Sequence, residues 1–257
     1  MNARDIYTAL IEAARSEATV SDILLGLNWS VASIAEAGNG KEFHGLCFSP
    51  QALTRTLPWS GTLQGRPVNE LARWIMQWDP CSAVVGALVI NAVINKDSEL
   101  LIGANRLDIP GPKHLKVFNY FRPQLIGKKV AVIGHYPQLQ GFDECAQWYC
   151  IERHPQSEDL PDPAAGFILP EMDWVFITAS SIANKTLPAL LELAKNAQVV
   201  LMGPSLPWVD VWADFGVNYL AGVAIKSSEE LWQVASQAGG TRIFDDACEY
   251  RIAKLAS

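Results

Sequence analysis

The stretch Asp173–Ser205, DWVFITASSIANKTLPALLELAKNAQVVLMGPS, decides the fold. DWVFITA and QVVLM are short apolar runs rich in β-branched and aromatic residues. Between them Leu187, Leu190, Leu191 and Ala194 recur at helical spacing. Strand, helix and strand in that order predict a βαβ unit with parallel strands and a right-handed crossover. The polar loops Ser180–Thr186 and Gly203–Ser205 follow the carboxyl ends of those strands, where open α/β sheets take their ligands. Lys185 stands where the helix is expected to begin. Helix N-termini favour negative charge, so a cation there is either solvated or has an anion to meet.

On both sides of this unit the alternation continues. KKVAVIG (128–134) reads as a strand, then a short connection, then the strand QWYCIE (147–152). A turn of helix is expected near Ala164–Leu169 and a helix across Val209–Phe215. The strand VNYLAGVAI (217–225), a helix over 228–238 and a last strand at TRIF (241–244) follow. Strands alternating with helices predict a doubly wound parallel sheet.

The N-terminal part reads differently. Residues 4–15 form an amphipathic helix with Ile6, Ala9, Leu10 and Ala13 on one face. SDILLGLNWSVAS (21–33) is a strand or a pair broken near Gly26, and 43–48 is another strand. Pro67 opens a helix, and Asp79 and Pro80 cap and open a second that runs to about Ile94. That second helix is apolar nearly all round, which predicts burial on most sides. The segment 96–127, with Pro110, Gly111, Pro112 and Pro123, is the expected boundary, although LKVFNYF (115–121) is apolar enough to pack. The architecture expected is therefore an α+β domain over residues 1–100 and a Rossmann-like domain over 101–257.

Composition removes several functional classes. The chain has 257 residues, 49% hydrophobic and 18% charged, with a formal net charge of −7. Without a basic stripe, nonspecific nucleic-acid or anionic-membrane binding is not expected. The longest nearly apolar run, 83–94, is too short to span a bilayer, and the N-terminus lacks a signal-peptide core. A cytoplasmic protein is expected. Its five scattered cysteines suit reduced thiols rather than a disulfide frame. The apolar second helix and the tryptophan content suggest a homodimer.

Several motifs then carry a family resemblance. GLNWSV (26–31), GTLQGRPVNELA (61–72) and INAVIN (90–95) resemble the N-terminal module of a bacterial and archaeal family. IGHYP (133–137), ANKT (183–186), GPSLPW (203–208) and DFGVNYLAG (214–222) resemble its C-terminal module. The family is domain of unknown function 364, labelled putative heavy-metal chelation, preceded by domain of unknown function 4213. The resemblance implies an enolase N-terminal-like module joined to a Rossmann-like module, with a site in the cleft between them.

The candidate site residues follow from the loops. The first parallel strand ends in IGHYPQLQG rather than GxGxxG, and His135, Tyr136 and Pro137 obstruct close approach of a pyrophosphate. NAD is therefore disfavoured as a cofactor. His135, at a strand's carboxyl end, reads as a general acid/base or metal ligand, or as a packed histidine bonded to backbone. Lys185 reads as an anion clamp and candidate catalytic residue, or as a solvated lysine. Asn184 and Thr186 are alternative helix caps beside it. Gly203 permits close backbone approach, and Ser205 can donate or accept a hydrogen bond. No GxSxG elbow surrounds Ser205, which argues against a serine nucleophile.

In the first module Asn28, Thr62 and Asn91 are polar candidates. Asn91, on an apolar helix, must find an internal partner or face the cleft. Cysteine and histidine spacings disfavour a structural zinc site. A divalent metal held jointly with a chelating ligand would use His135 and Glu152. The function expected is binding of a small anionic metabolite or metal chelate, and one version of it is an enzyme that makes or processes a metal-chelating molecule. A non-catalytic metal or metallophore carrier serving a transporter, or a structural partner of another subunit, are the alternatives.

Overall fold

The computed structural model describes residues 2–256 except 37, 39, 53, 54 and 157. The chain opens with helix α1 (Ala3–Ala13), capped by Asn2, whose side chain accepts from the Arg4 N–H. Strands β1 (Thr19–Leu25), β2 (Trp29–Ala35) and β3 (Glu42–Phe48) form an antiparallel sheet in that order. Helix α2 (Val68–Ala72) runs on into a 3-10 turn at Arg73–Met76, and helix α3 (Pro80–Lys96) follows. Asp79 caps α3, its Oδ1 accepting the Ser82 N–H at 2.8 Å, and Pro80 occupies the first turn. Every residue from Ser82 to Ile94 is buried.

Two glycines let α3 sit so deep. A Cβ on Gly45 of β3 would lie 1.9 Å from the Leu88 carbonyl oxygen, and one on Gly86 would lie 2.2 Å from the Ile75 nitrogen. Strand and turn therefore press on the α3 backbone itself from two sides. The far face of β2 is covered by an element from the other end of the chain, helix α9 (Ser228–Ser236). A Cβ on Gly26, in the β1–β2 turn, would meet the Ala235 carbonyl oxygen of that helix at 2.8 Å.

The segment 96–127, expected as a boundary, is structured. Helix α4 (Glu99–Gly103), the short strand β4 (Asn105–Arg106) and helix α5 (Lys116–Phe121) lie within it. LKVFNYF does pack: Phe118 and Phe121 are fully buried, with ring centroids 5.2 and 5.5 Å from that of Phe176.

The elements that follow are β5 (Lys129–Ile133), β6 (Gln147–Glu152), β7 (Leu160–Pro161), α6 (Ala165–Ile168) and β8 (Trp174–Thr178). After them come α7 (Ser180–Ala183), α8 (Leu187–Leu193), β9 (Gln198–Met202), β10 (Tyr219–Ile225), α9 (Ser228–Ser236) and β11 (Cys248–Lys254). The second sheet has the order β4-β11-β10-β9-β8-β5-β6-β7. From β10 to β7 all neighbours are parallel, while β11 and β4 pair antiparallel at one edge. The fold is thus a mostly parallel eight-stranded sheet with a small three-stranded antiparallel sheet beside it.

Chain order runs outward in one direction from β5 through β6 and β7, and in the other from β8 through β9 and β10. Between β5 and β8 lies a topological switch point, and the crevice outside it is where this class of sheet binds ligands. Alternation along β8 sorts its side chains. Trp174 and Phe176 join the aromatic cluster of α5, whereas Val175 and Ile177 join the core that includes Ile6, Leu10 and Leu88. One buried cluster therefore runs from the N-terminal helices to the parallel sheet.

Three expectations need correction. TRIF is not a strand: Gly240–Phe244 is a 3-10 turn, and the last strand is Cys248–Lys254. The period-two signal was present there, since Cys248, Tyr250 and Ile252 are buried while Glu249 and Arg251 pair on the other face. Val209–Phe215 forms only a 3-10 turn, at Asp210–Phe215. The residues between the first two strands of the β8–β9 unit include an extra helical turn, α7, ahead of the helix read from the leucine spacing.

The tight seat of α3 yields a test. Gly45→Ala and Gly86→Ala each force backbone apart and should destabilise by about 1–3 kcal/mol or more. Gly103→Ala, with nothing within 4 Å of its added Cβ, should be neutral or slightly stabilising. Urea denaturation of the three variants measures the contrast.

Candidate functional site

A cleft of about 920 Å³ opens between the two sheets at the switch point. That is at the upper end of the roughly 300–1,000 Å³ usual for small-molecule sites. One wall comes from the small sheet and α3: Asn28, Trp29, Phe48, Ser49, Gln51 and Val84. The floor is the carboxyl edge of the parallel sheet, with Gly134, Thr178, Ser180, Gly203 and Ser205. The rim carries His135, Glu152, Arg153, His154 and Arg242.

Two glycines shape the floor. Gly134 (φ 111°) and Gly203 (φ 112°) end β5 and β9 in a backbone region that side chains disfavour. A Cβ on Gly134 would also meet the Thr178 methyl group at 3.2 Å. Beside them Thr178 Oγ1 and Ser180 Oγ lie 3.1 Å apart, and the phenol of Tyr136, buried and so raised in pKa, contacts Thr178.

Of the residues singled out from sequence, His135, Glu152, Asn184, Thr186, Gly203, Ser205 and Asn28 line this cleft. Lys185, Thr62 and Asn91 are outside its lining. Thr62 is exposed and donates to the Trp59 carbonyl at 2.7 Å. Asn91 lies behind the floor. Its Nδ2 donates to the carbonyls of Leu46 (2.9 Å) and Ser205 (3.0 Å), so it joins α3 to β3 and to the Gly203–Ser205 turn. Ser205 Oγ in turn accepts the Phe48 N–H at 2.8 Å. The serine expected to hold a ligand also locks the two sheets together.

Lys185 departs most from expectation. It is not in the first turn of a helix but links α7 to α8 with φ 71°, the left-handed region. Its Nζ folds back onto the Ala183 carbonyl at 2.9 Å and sits 5.6 Å from the centre of the Tyr7 ring. Burial lowers its pKa to about 8, with Cys47 nearby. Asn184 Oδ1 accepts from the Thr186 N–H (3.1 Å) and hydroxyl (2.7 Å), a local turn rather than a helix cap. Just beneath, the Ser181 Oγ is buried with no hydrogen-bond partner among the described residues.

The rim charges are largely neutralised within the protein. Glu152 uses both oxygens on backbone, accepting from His135 N (2.9 Å) and His154 N (3.2 Å). Arg153 pairs with Asp162 at 3.1 Å. His135 Nδ1 lies 2.8 Å from Asp159 Oδ2, and Asp159 also accepts the Gln156 N–H at 3.0 Å. Burial alone would raise Asp159, but its bonds to Cys150, Gln156 and His135 outweigh that and hold its carboxyl below the usual range. Arg242 is different: among the described residues no carboxylate pairs with it.

Asp159 and Arg242 were missed in the sequence. Asp159 is 24 residues from His135 in a loop, where no local spacing links them. Arg242 was hidden in a segment misread as a strand.

Comparison with known proteins agrees with these elements. Two family models match the chain: DUF364, described as "putative heavy-metal chelation", over residues 116–254, and DUF4213, with the same description, over 7–94. A crystal structure of a DUF364-family protein of unknown function from Desulfitobacterium hafniense superposes with a TM-score of 0.81 at 29% identity, covering 98% of both chains. Another from Pyrococcus horikoshii gives 0.78 at 21% identity, covering 99% of this chain and 100% of that one. An uncharacterized protein of Methanocaldococcus jannaschii is 30% identical over 129 residues. The matched stretch is about half of that relative, 48% of its length and 48% of this chain. No helix among the described residues is long and apolar enough to cross a membrane.

The chelation label can be tested against the donors present. Glu152 is occupied by two N–H groups, and His135 Nδ1 by Asp159. Burial and the neighbouring Asp159 push the Cys150 thiol up to about 12, away from the thiolate a metal needs. Among the described residues no group of three His, Cys, Asp or Glu side chains is placed to hold an ion. The protein's own side chains do not fit a heavy-metal site here.

Lys185 gives a pH test. Its folded pKa, about 8, lies below the roughly 10.4 of an unfolded lysine. The unfolded chain therefore binds more protons between those values, and stability rises with pH across that window. Lys185→Met should stabilise the protein at neutral pH by on the order of 1 kcal/mol after allowance for partial solvent access, about 2–4 °C in melting temperature. The gain over wild type should shrink as pH rises from 8 towards 10. Paired thermal melts across that range measure it; a gain that does not change with pH contradicts the desolvated-lysine account.

Proposed function

The chain belongs to the DUF364 family, described as "putative heavy-metal chelation", and we infer that its intersheet cleft binds a small anionic metabolite. The observation that carries this reading is Arg242. It lines the cleft with no carboxylate partner among the described residues, whereas Arg153 is paired and Glu152 and Asp159 are spent on internal bonds. An arginine fork at a concave site suits a carboxylate or phosphate through paired charge-assisted bonds.

The remaining lining is neutral and polar. Asn28, Gln51, Ser180, Asn184 and Thr241 offer amides and hydroxyls, and Trp29, Phe48 and Phe244 supply apolar surface. Such a mixture suits a ligand with one anionic end and several hydrogen-bonding oxygens. If the ligand carries a metal, the ligand's own donors hold it, which accommodates the family description without a protein cage.

Calorimetric titration with citrate, inorganic phosphate and nickel citrate tests this reading. At least one should bind, and Arg242→Ala should weaken it by about tenfold or more, the size of one lost charge-assisted bond. Equal affinity in wild type and Arg242→Ala would remove the anion reading. Preference for nickel citrate over citrate would identify a metal chelate as the ligand.

A further inference from the structure

The cleft holds three histidines, His114, His135 and His154. Only His135, among the described residues, has a carboxylate behind its ring. His114 Nε2 lies 2.8 Å from the Pro137 carbonyl oxygen. His154 gives its backbone N–H to Glu152 at 3.2 Å.

His135 is fixed from several directions. The left-handed turn at Gly134 swings it off the end of β5. Its backbone N–H donates to Glu152 Oε2 at 2.9 Å, and its Nδ1 contacts Asp159 Oδ2 at 2.8 Å. Asp159 has a side chain only 9% exposed and is itself held by the Gln156 N–H at 3.0 Å and by Cys150. An ionised carboxylate at Nδ1 makes that nitrogen the donor, so the Nε2 lone pair on the opposite edge is the free base. The His135 side chain is 33% exposed and lines the cleft.

The neighbours narrow what such a base can do. No hydroxyl or thiol bonds to the His135 ring among the described residues. Among the cleft's hydroxyls Ser205 accepts from Phe48 N, Ser49 bonds Ser30 at 2.9 Å and Thr178 bonds Ser180, while the unpartnered Ser181 Oγ makes no bond to His135 either. A nucleophile activated by histidine is not assembled. The glycine-rich loop that cradles transferring phosphates is also absent, because the strand ends in IGHYP. Direct removal of a proton from the ligand remains.

We propose that His135, positioned by Asp159, is a general base that enolises a small oxo-carboxylate bound in the cleft. This rests on the anion reading above, with Arg242 as the carboxylate's partner. In the step the C–H bond next to the ligand's carbonyl breaks and the proton passes to His135 Nε2. The electron pair moves into the new C=C bond and the negative charge onto the carbonyl oxygen. Amide and hydroxyl donors such as Asn28, Asn184 and Ser180 line the same cleft and suit that oxyanion. Asp159 faces the imidazolium that forms. Return of the proton, or of a deuteron from solvent, restores the carbonyl compound. His135 is the catalytic residue and Asp159 a positioning residue.

Exchange of C–H for C–D in heavy water, followed by proton NMR, tests the step with pyruvate, 2-oxobutyrate, acetoacetate and oxaloacetate. Binding of each is read in the same samples by saturation transfer. Wild type should accelerate exchange of at least one compound, and His135→Gln should lower that rate by about 100-fold or more. Free imidazole should restore part of the rate to His135→Gly, which a merely structural role would not allow. Asp159→Asn should lower kcat with little change in KM and in the thermal melt. Compounds that bind without exchanging, or exchange undiminished in His135→Gln, overturn the base while leaving the binding reading intact. Compounds that neither bind nor exchange overturn the substrate class; if citrate and phosphate also fail to bind, the anion reading falls with it.

Discussion

Asn91 is the side chain on which the arrangement depends. It is 1% exposed in the middle of an apolar helix and donates to one carbonyl on β3 and one in the turn after β9. A buried polar group that loses its hydrogen bond costs about 1–3 kcal/mol, so these two bonds are held strongly. One amide thus fixes the depth of α3, the edge of the small sheet and the position of Ser205. Asn95, one turn on, repeats the device with Leu206 O (3.1 Å) and Trp208 N (2.8 Å). The cleft has the width it has because these bonds set the distance between its walls.

That rigid frame explains the uneven use of charge around the cleft. Carboxylates are spent on holding loops: Glu152 on two backbone N–H groups, Asp159 on Gln156 and His135. Lys185 is withdrawn beneath the floor, where burial weakens its charge. What faces the cavity is mostly neutral donors, with Arg242, the paired Arg153 and three imidazoles, of which His135 has a carboxylate behind its ring. A cavity so lined discriminates by shape and hydrogen bonding rather than by a strong field, and a neutral floor is also the one that strengthens a single charge–charge contact most.

Much of the fold was legible in sequence because periodicity is local. The leucine spacing at 187–194, the apolar runs at 174–178 and 198–202, and the Asp79–Pro80 start of α3 each encode an element within a few residues. Their alternation was enough for a mostly parallel sheet. The misreadings were also local. TRIF has strand-like composition but follows Gly239 and Gly240, and the helix 228–236 ends just before it in a left-handed Ala238.

The site was legible only as a set of loop ends. Sequence placed His135, Glu152, Asn184, Gly203 and Ser205 at the carboxyl edge of the sheet, because strand ends can be counted from strands. Which atoms remain available there is a different matter, decided by contacts between residues far apart in the chain. Asp159 behind His135, the backbone claims on Glu152, the retreat of Lys185 against Tyr7 and an Arg242 with no carboxylate partner among the described residues all arise from loops meeting across the sheet. Sequence by itself determined the elements and the sheet edge on which the cleft opens, since hydrophobic period and turn chemistry act over one or two turns of chain. Only the tertiary structure decided which charges that edge presents, since a charged group's state depends on burial and on partners that no spacing rule brings together.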